Sequence, residues 1–127
     1  MDIKMIAFDL DETLLRIDKT IPEDNIRAIQ KAGELGIYVV VATGRPVSSI
    51  GYVLDAIPSI RYGILSNGGV VLDLVTGEYI SEHTIPVDVA VRFLEYGEKM
   101  GYPGDFFVKG KRFVPSGWAS LVDRMEV

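Results

Sequence analysis

The stretch Met5-Ile6-Ala7-Phe8-Asp9-Leu10-Asp11 decides the fold prediction, because a short apolar run is followed at once by two closely spaced carboxylates. A continuous run of four apolar residues predicts a strand that is buried on both faces of a parallel sheet. In an open α/β sheet, ligands bind at the carboxyl ends of the strands. Clustered carboxylates are costly unless a cation, a proton or a reacting group offsets their charge. The stretch therefore predicts a buried strand that leads into a functional site.

The composition is that of a folded, acidic protein. The chain has 127 residues, of which 48% are hydrophobic and 24% charged, so disorder is not expected. Thirteen Lys and Arg against 18 Asp and Glu give a net charge of −5, which argues against nucleic acid or an anionic membrane as the partner. The chain has no cysteine, which excludes disulfides and thiol catalysis. No apolar run reaches the roughly 18 residues of a membrane span, and we expect a cytoplasmic protein.

Two further apolar runs predict a parallel sheet with helices between its strands. Thr20 and Glu23 match a capping box at the start of a first helix, and Gly36 is placed to end it. Residues 37–42 then form a valine-rich strand, and residues 62–65 form a third strand after a helix that Pro46 opens. Two βα units that feed a third strand imply right-handed crossovers. Residues 1–73 are therefore predicted to be an α/β unit.

The pattern changes after Gly69. Residues 70–73 and 78–81 predict a hairpin, and residues 87–100 predict an amphipathic helix that Gly101 ends. A second hairpin is predicted at residues 105–114, and a last short helix carries Trp118. Residues 74–127 are therefore predicted to form a separate α+β part.

Polar residues follow each of the three predicted parallel strands. They are Asp9 and Asp11, then Thr43-Gly44-Arg45, then Ser66-Asn67-Gly68-Gly69. Because the carboxyl ends of parallel strands share one edge of the sheet, the three groups can converge on one ligand. Thr43 offers a hydroxyl, Gly44 allows a backbone N–H to approach a phosphate closely, and Asn67 can both donate and accept. Phosphoryl transfer needs such parts: a carboxylate nucleophile, an acid/base and fixed donors.

The motifs resemble those of a known family. A strand followed by Asp-x-Asp-x-Thr and Leu-Leu, at residues 9–15, resembles the first motif of the haloacid dehalogenase-like (HAD) phosphohydrolases. Residues 41–46 look like their second motif, and residues 66–69 resemble the third-strand sequence of the Cof-type, sugar-phosphatase-like branch. The resemblance implies a partial Rossmann-like, HAD-like parallel sheet at residues 1–73. It also implies that residues 74–127 are the first part of an α+β cap domain.

The resemblance also implies roles for individual residues. Asp9 would be the nucleophile that accepts the phosphoryl group, and Asp11 would be the general acid and then the general base. The residues that would bind the phosphate or the substrate are Thr43, Gly44, Arg45 and Asn67. Mg²⁺ would be held weakly by the Asp9 carboxylate and the Asp11 main-chain carbonyl, because these are few of the ligands that it needs. The substrate would be a small phosphorylated metabolite of the sugar-phosphate kind.

Two parts of the family pattern have no match among the 127 residues: a lysine from a later helix and an acidic pair after a fourth strand. We therefore expect the N-terminal portion of a Mg²⁺-dependent phosphatase that works through an aspartyl-phosphate. The alternative is a catalytically inactive phosphate-binding module, or a fragment that needs a complementary partner. The first strand would lack a neighbour on one side, which predicts self-association through this strand or through an apolar face.

Overall fold

Ten regular elements form two groups along the chain in the computed structural model, which describes residues 2–102 and 104–117. The elements are β1 (Met5–Phe8), α1 (Glu23–Glu34), β2 (Tyr38–Ala42), α2 (Gly51–Ala56), β3 (Ile60–Leu65), β4 (Val70–Asp73), β5 (Tyr79–Glu82), α3 (Val87–Met100), β6 (Phe106–Val108) and β7 (Lys111–Phe113). Short 3-10 turns precede α2 at Val47–Ser49 and β4 at Ser66–Gly68. The predicted helix at Trp118 lies outside the described residues. Within the described ranges, no helix combines the length and apolar character needed to cross a bilayer.

The strands β1 to β5 form one sheet in the order in which they occur in the chain. β1 pairs with β2 and β2 with β3 in parallel, whereas β4 and β5 add to β3 as antiparallel neighbours. The registers place Phe8 opposite Val41 and Ala42 opposite Ile64, which are the last or nearly the last residues of their strands. The carboxyl ends of β1, β2 and β3 therefore lie at the same edge of the sheet. The predicted α/β class and the parallel part of the sheet are confirmed.

The core is centred on β2, where Val39, Val40 and Val41 are buried in succession. This is the pattern of a strand covered on both faces. The remaining buried apolar side chains come from α2 and its flanks, from β3 and β4, and from the segment that follows β1; they are Ile50, Val53, Ile57, Ile60, Leu65, Leu72, Leu10, Leu14 and Leu15. The segment after β1 thus belongs to the core, and this fixes the position of the acidic residues that it carries.

The prediction that β1 is buried on both faces is wrong. Ile6 and Phe8 pack against the core, but Met5 is 53% exposed and Ala7 is also exposed. The reason is that β1 is an edge strand, and α1 packs against its neighbour β2. In the described part of the chain, β1 therefore has one face packed against the core, one exposed face and one edge that pairs with no strand.

The predicted hairpin at residues 70–81 belongs to the first sheet and not to the second part of the chain. Because β4 pairs with β3, and the His83 N–H donates to the Gly69 carbonyl at 2.8 Å, the first compact unit extends to His83. This unit thus includes the hairpin, whereas the sequence analysis placed the end of the first part at residue 73. The second unit, Thr84–Val127, contains α3 and the β6–β7 hairpin, and Phe93 meets Phe106 edge to face at 6.2 Å within it. That this second unit is a cap stays a prediction.

Asp73 holds the turn between β4 and β5, and it predicts how stability depends on pH. Its carboxylate accepts the N–H groups of Val75 at 2.9 Å and Thr76 at 3.0 Å, and it pairs with Arg61 at 2.9 Å. These bonds, that of Thr76 first, lower the pKa of the Asp73 carboxyl from 3.8. A carboxyl whose pKa is lowered by folding stabilises the fold above its unfolded pKa, and this contribution is lost as the pH falls through the folded pKa.

We therefore expect the free energy of unfolding to decrease as the pH falls below about 4, and Asp73→Asn to flatten part of that decrease. The measurement is urea unfolding over a pH series. Asp55→Asn is the matched control, because Asp55 is exposed on α2. The expectation fails if the Asp73→Asn and Asp55→Asn variants show the same dependence on pH.

Candidate active site

The two acidic residues after β1 lie on a turn that buried leucines anchor. Asp9 is exposed, and its carbonyl accepts the Leu14 N–H at 3.3 Å. Leu10 is fully buried, and its carbonyl accepts the Leu15 N–H at 2.8 Å. The side chains of Leu14 and Leu15 are also buried. The alternation of a buried leucine with two acids therefore directs both carboxylates away from the core.

Thr43 is the polar residue at the end of β2, and its hydroxyl is held in place. The side chain is 7% exposed, and the hydroxyl oxygen accepts the Arg45 N–H at 3.2 Å. The Thr43 N–H donates to the Ile64 carbonyl at 2.9 Å, which ties this position to β3. A buried hydroxyl with a fixed orientation can act as a preorganised donor to a ligand.

The loop after β3 is hydrogen-bonded to the loop after β2. The Ser66 N–H donates to the Arg45 carbonyl at 3.1 Å, and the Asn67 N–H donates to the Thr43 carbonyl at 3.3 Å. Asn67 has a left-handed backbone with a φ of 56°, which asparagine tolerates better than most residues. A Cβ on Gly44 would lie 2.8 Å from the Asn67 Oδ1 atom. The two loops thus form one structure, in which a side chain at position 44 would displace the Asn67 amide.

Asp11 is the centre of the charged part of the site. The Arg45 guanidinium donates from Nε to one carboxylate oxygen at 2.8 Å and from a terminal nitrogen to the other at 2.7 Å. Lys19 donates to the same carboxylate at 3.1 Å. The hydrogen bonds from Arg45, and then the one from Lys19, hold the pKa of the Asp11 carboxyl far below its usual range, although partial burial opposes them. Asp11 is therefore an ionised carboxylate between two cations.

The structure brings the predicted site residues to one edge of the sheet. Asp9, Thr43 and Asn67 follow the adjacent ends of β1, β2 and β3. Arg45 contacts Asp11 across 34 residues of sequence. Within residues 2–102 and 104–117, the Asp9 carboxylate has no hydrogen-bond or ion-pair partner, so it is available to a ligand. Lys19 was not among the predicted site residues, and the signal that could have indicated it is a basic residue in the segment that follows the two acids.

Gly44 gives a test of how the two loops cooperate. We expect Gly44→Ala to displace the Asn67 side chain, because the added Cβ would approach the Asn67 Oδ1 atom to 2.8 Å. The amide can rotate away, so the variant should stay folded while its affinity for inorganic phosphate falls by about tenfold. The measurements are calorimetric titration with phosphate and thermal unfolding. Gly51→Ala is the matched control, because a Cβ there meets no atom within 4 Å. Equal phosphate affinities of the two variants would refute the expectation.

This arrangement, an α/β sheet with acidic, hydroxyl and basic groups at the carboxyl ends of its parallel strands, is suited to binding an anionic ligand. The family of haloacid dehalogenase-like hydrolases matches the chain over residues 6–121, and the chain belongs to that family. The recognition of the family from its sequence motifs is thus confirmed.

Individual relatives agree with the family. The chain is 40% identical over 91 residues to M6_Spy0533 of Streptococcus pyogenes serotype M6, whose name describes an unconfirmed phosphatase, and the match covers 69% of this chain and 34% of that protein. It is 36% identical over 73 residues to YcsE of Bacillus subtilis, named a 5-amino-6-(5-phospho-D-ribitylamino)uracil phosphatase, covering 58% of this chain and 29% of that protein. A haloacid dehalogenase-like hydrolase structure from B. subtilis superposes with a TM-score of 0.81 at 30% identity, over 96% of this chain and 42% of that one. The chain thus spans less than half the length of these relatives.

Proposed function

We propose that this protein is a cytoplasmic, Mg²⁺-dependent phosphatase of small phosphomonoesters that works through a phosphorylated Asp9. The observation that carries the proposal is the exposed Asp9 carboxylate, without an ion-pair partner in the described residues, at the same sheet edge as Thr43, Arg45 and Asn67. A carboxylate that is not neutralised by a neighbour is free to attack phosphorus. The YcsE name describes a phosphatase of a small phosphorylated metabolite, and this supports the same substrate class here.

In the first step, an Asp9 carboxylate oxygen forms a bond to phosphorus while the bond from phosphorus to the ester oxygen breaks. Asp11 gives a proton to the departing oxygen, so that an alcohol leaves. In the second step, water attacks the phosphorus of the aspartyl-phosphate and gives a proton to Asp11. The bond between phosphorus and the Asp9 oxygen breaks, which regenerates the Asp9 carboxylate and yields inorganic phosphate. Thr43, the Gly44 backbone, Arg45 and Asn67 would bind the phosphoryl oxygens throughout.

The ion pair of Asp11 with Arg45 affects the protonation of Asp11 in both steps. Arg45 and Lys19 favour the ionised form of Asp11, which is the form that accepts a proton from water. Donation to the leaving oxygen requires the protonated form, and therefore requires Asp11 to separate from Arg45 when the substrate binds. Arg45 would then be free to bind the phosphoryl oxygens.

The donors present suit Mg²⁺ but are few. The described residues contain no group of three or more His, Cys, Asp or Glu side chains that could hold a metal ion. The Asp9 carboxylate and the Asp11 main-chain carbonyl are hard oxygen donors of the kind that Mg²⁺ prefers, and the remaining ligands would be waters. When bound, Mg²⁺ would offset the repulsion between Asp9 and the phosphoryl oxygens.

The test of the proposed function is hydrolysis of p-nitrophenyl phosphate with Mg²⁺ and with EDTA. We expect turnover that depends on Mg²⁺ and is inhibited by inorganic phosphate. Phosphate binding without turnover would support the alternative, a catalytically inactive phosphate-binding module. Absence of both would refute the phosphatase and the binding module together.

The free edge of β1 gives a second proposal, which is self-association. Met5 is 53% exposed on this strand, and an apolar edge without proline or inward-pointing charge is a template for pairing with another chain. We expect light scattering to show a mass that rises with concentration, and Met5→Lys to reduce it. Tyr52→Lys, on α2, is a control for added charge at another exposed aromatic or apolar position. A monomer at all concentrations would contradict this expectation.

A further inference from the structure

Lys19 lies at the charged centre of the site, although it belongs to none of the three motifs at the strand ends. Its Nζ atom is 3.1 Å from an Asp11 carboxylate oxygen, the same oxygen that a terminal nitrogen of Arg45 contacts at 2.7 Å. The two cations thus approach one carboxylate oxygen from two separate segments of the chain. Lys4 pairs with Asp2 at the amino end of β1, and Lys31 is exposed in the last turn of α1. Among the described residues of the first unit, Lys19 is therefore the lysine that contacts an acid of the site.

The backbone around Lys19 is built as a closed turn. The Arg16 N–H donates to the Thr20 carbonyl at 3.0 Å, and the Lys19 N–H donates to the Arg16 carbonyl at 2.9 Å. The Asp18 carboxylate accepts the N–H of Thr20 at 3.0 Å and its hydroxyl at 2.6 Å, so Thr20 belongs to this turn and the predicted capping box is wrong. Lys19 itself has a φ of 64°, a left-handed conformation that costs a residue with a Cβ free energy. Strain of this kind is found at ligand sites, where the surrounding structure maintains it.

The charges of the cluster favour an anionic ligand. Asp11 carries one negative charge between two cations, so its carboxylate neutralises only one of them. A phosphomonoester brings up to two negative charges next to Asp9, and cations that contact the phosphoryl oxygens offset this repulsion. The Lys19 side chain is 42% exposed, and its flexible stem carries three donors that can move from one anion to another.

We propose that Lys19 is a further phosphate-binding residue, which together with Arg45 transfers its contact from Asp11 to the phosphoryl group of the bound substrate. This inference rests on the proposed function, because it assigns a residue to the same site. It also gives a role to the Asp11 carboxylate, which contacts both side chains. Asp11 keeps the cations together and is released when a more highly charged anion takes its place.

The test is calorimetric titration with inorganic phosphate at constant ionic strength. We expect Lys19→Met to weaken phosphate binding about fivefold, and Lys19→Arg to retain most of the affinity. Lys31→Met removes the same charge from an exposed position on α1 and should stay within about twofold of the unsubstituted chain. If Lys19→Met does not fold, Lys19→Gly removes the side chain while it accommodates the left-handed backbone.

The outcomes separate this inference from the function on which it rests. If the unsubstituted chain binds phosphate and the Lys19 and Lys31 variants bind it equally well, Lys19 is only a structural partner of Asp11 and the inference is wrong. If Arg45→Met weakens phosphate binding and Lys19→Met does not, the phosphate site includes Arg45 but not Lys19, and the inference is wrong. If the unsubstituted chain does not bind phosphate, the proposed function fails, and the inference fails with it.

Discussion

Asp9→Asn should reduce the hydrolysis of p-nitrophenyl phosphate to the background rate, a loss of at least about 1,000-fold. The amide has the shape of the carboxylate, but it lacks the negative charge that attacks phosphorus. Because the Asp9 side chain is exposed and no ion pair in the described residues depends on it, the variant should fold normally. Circular dichroism and thermal unfolding check this point.

The matched control for Asp9 is Asp2→Asn. Asp2 pairs with Lys4 at 2.7 Å, and both side chains are largely exposed at the amino end of β1, away from the carboxyl ends of the strands. We expect this variant to hydrolyse the substrate at the unsubstituted rate. An Asp9→Asn variant with more than a few per cent of the original kcat would show that another group is the nucleophile.

Asp11→Asn should have two effects of opposite direction. The loss of the acid/base group should lower kcat by about 100-fold to 1,000-fold, which is typical of general acid–base catalysis. Binding of inorganic phosphate should become tighter, because the neutral amide no longer competes for Arg45 and Lys19. Steady-state kinetics and calorimetric titration measure the two effects on the same preparation.

This pair of effects distinguishes a competing acid from a merely structural one. If Asp11 only maintained the shape of the site, its replacement would weaken phosphate binding. Asp55→Asn, which changes an exposed carboxylate on α2, should leave both kcat and phosphate affinity unchanged. Weaker phosphate binding by Asp11→Asn would therefore contradict the exchange of Arg45 and Lys19 between Asp11 and the ligand.

The sequence predicted the sheet edge well because local signals agree there. The valine-rich run of β2 is buried as expected, and polar residues follow each of the three parallel strands at the point where it ends. The order of these motifs was sufficient to indicate the family and the residues at the strand ends. Their chemical roles stay predictions.

Other features depended on pairings that a sequence does not contain. Whether β1 is buried on both faces depends on which elements pack against it. An apolar run of four residues does not distinguish a strand at the edge of a sheet from one at its centre. The sequence of the β4–β5 hairpin did not indicate that β4 would pair with β3 in the first sheet. The ion pair of Asp11 with Arg45 spans 34 residues and forms only when the parallel strands align.

The residues with left-handed backbone conformations could not be predicted from the sequence either. Glu12 and Lys19 have φ values of 58° and 64°, and neither is a residue type for which that conformation is expected. The turn hydrogen bonds and the buried leucines around them impose it. The contact of Lys19 with Asp11 therefore depends on the backbone conformation of the turn, which the pattern of residue types does not predict.

The central claim is that Asp9 carries the phosphoryl group, and trapping this intermediate tests it most directly. The chain would be mixed with p-nitrophenyl phosphate and Mg²⁺, quenched in acid within the first turnovers and digested, and its peptides analysed by mass spectrometry. We expect one added phosphoryl group on the peptide that contains Asp9, and none in the Asp9→Asn variant. Turnover without a phosphorylated peptide, or a phosphoryl group on another residue, would contradict it.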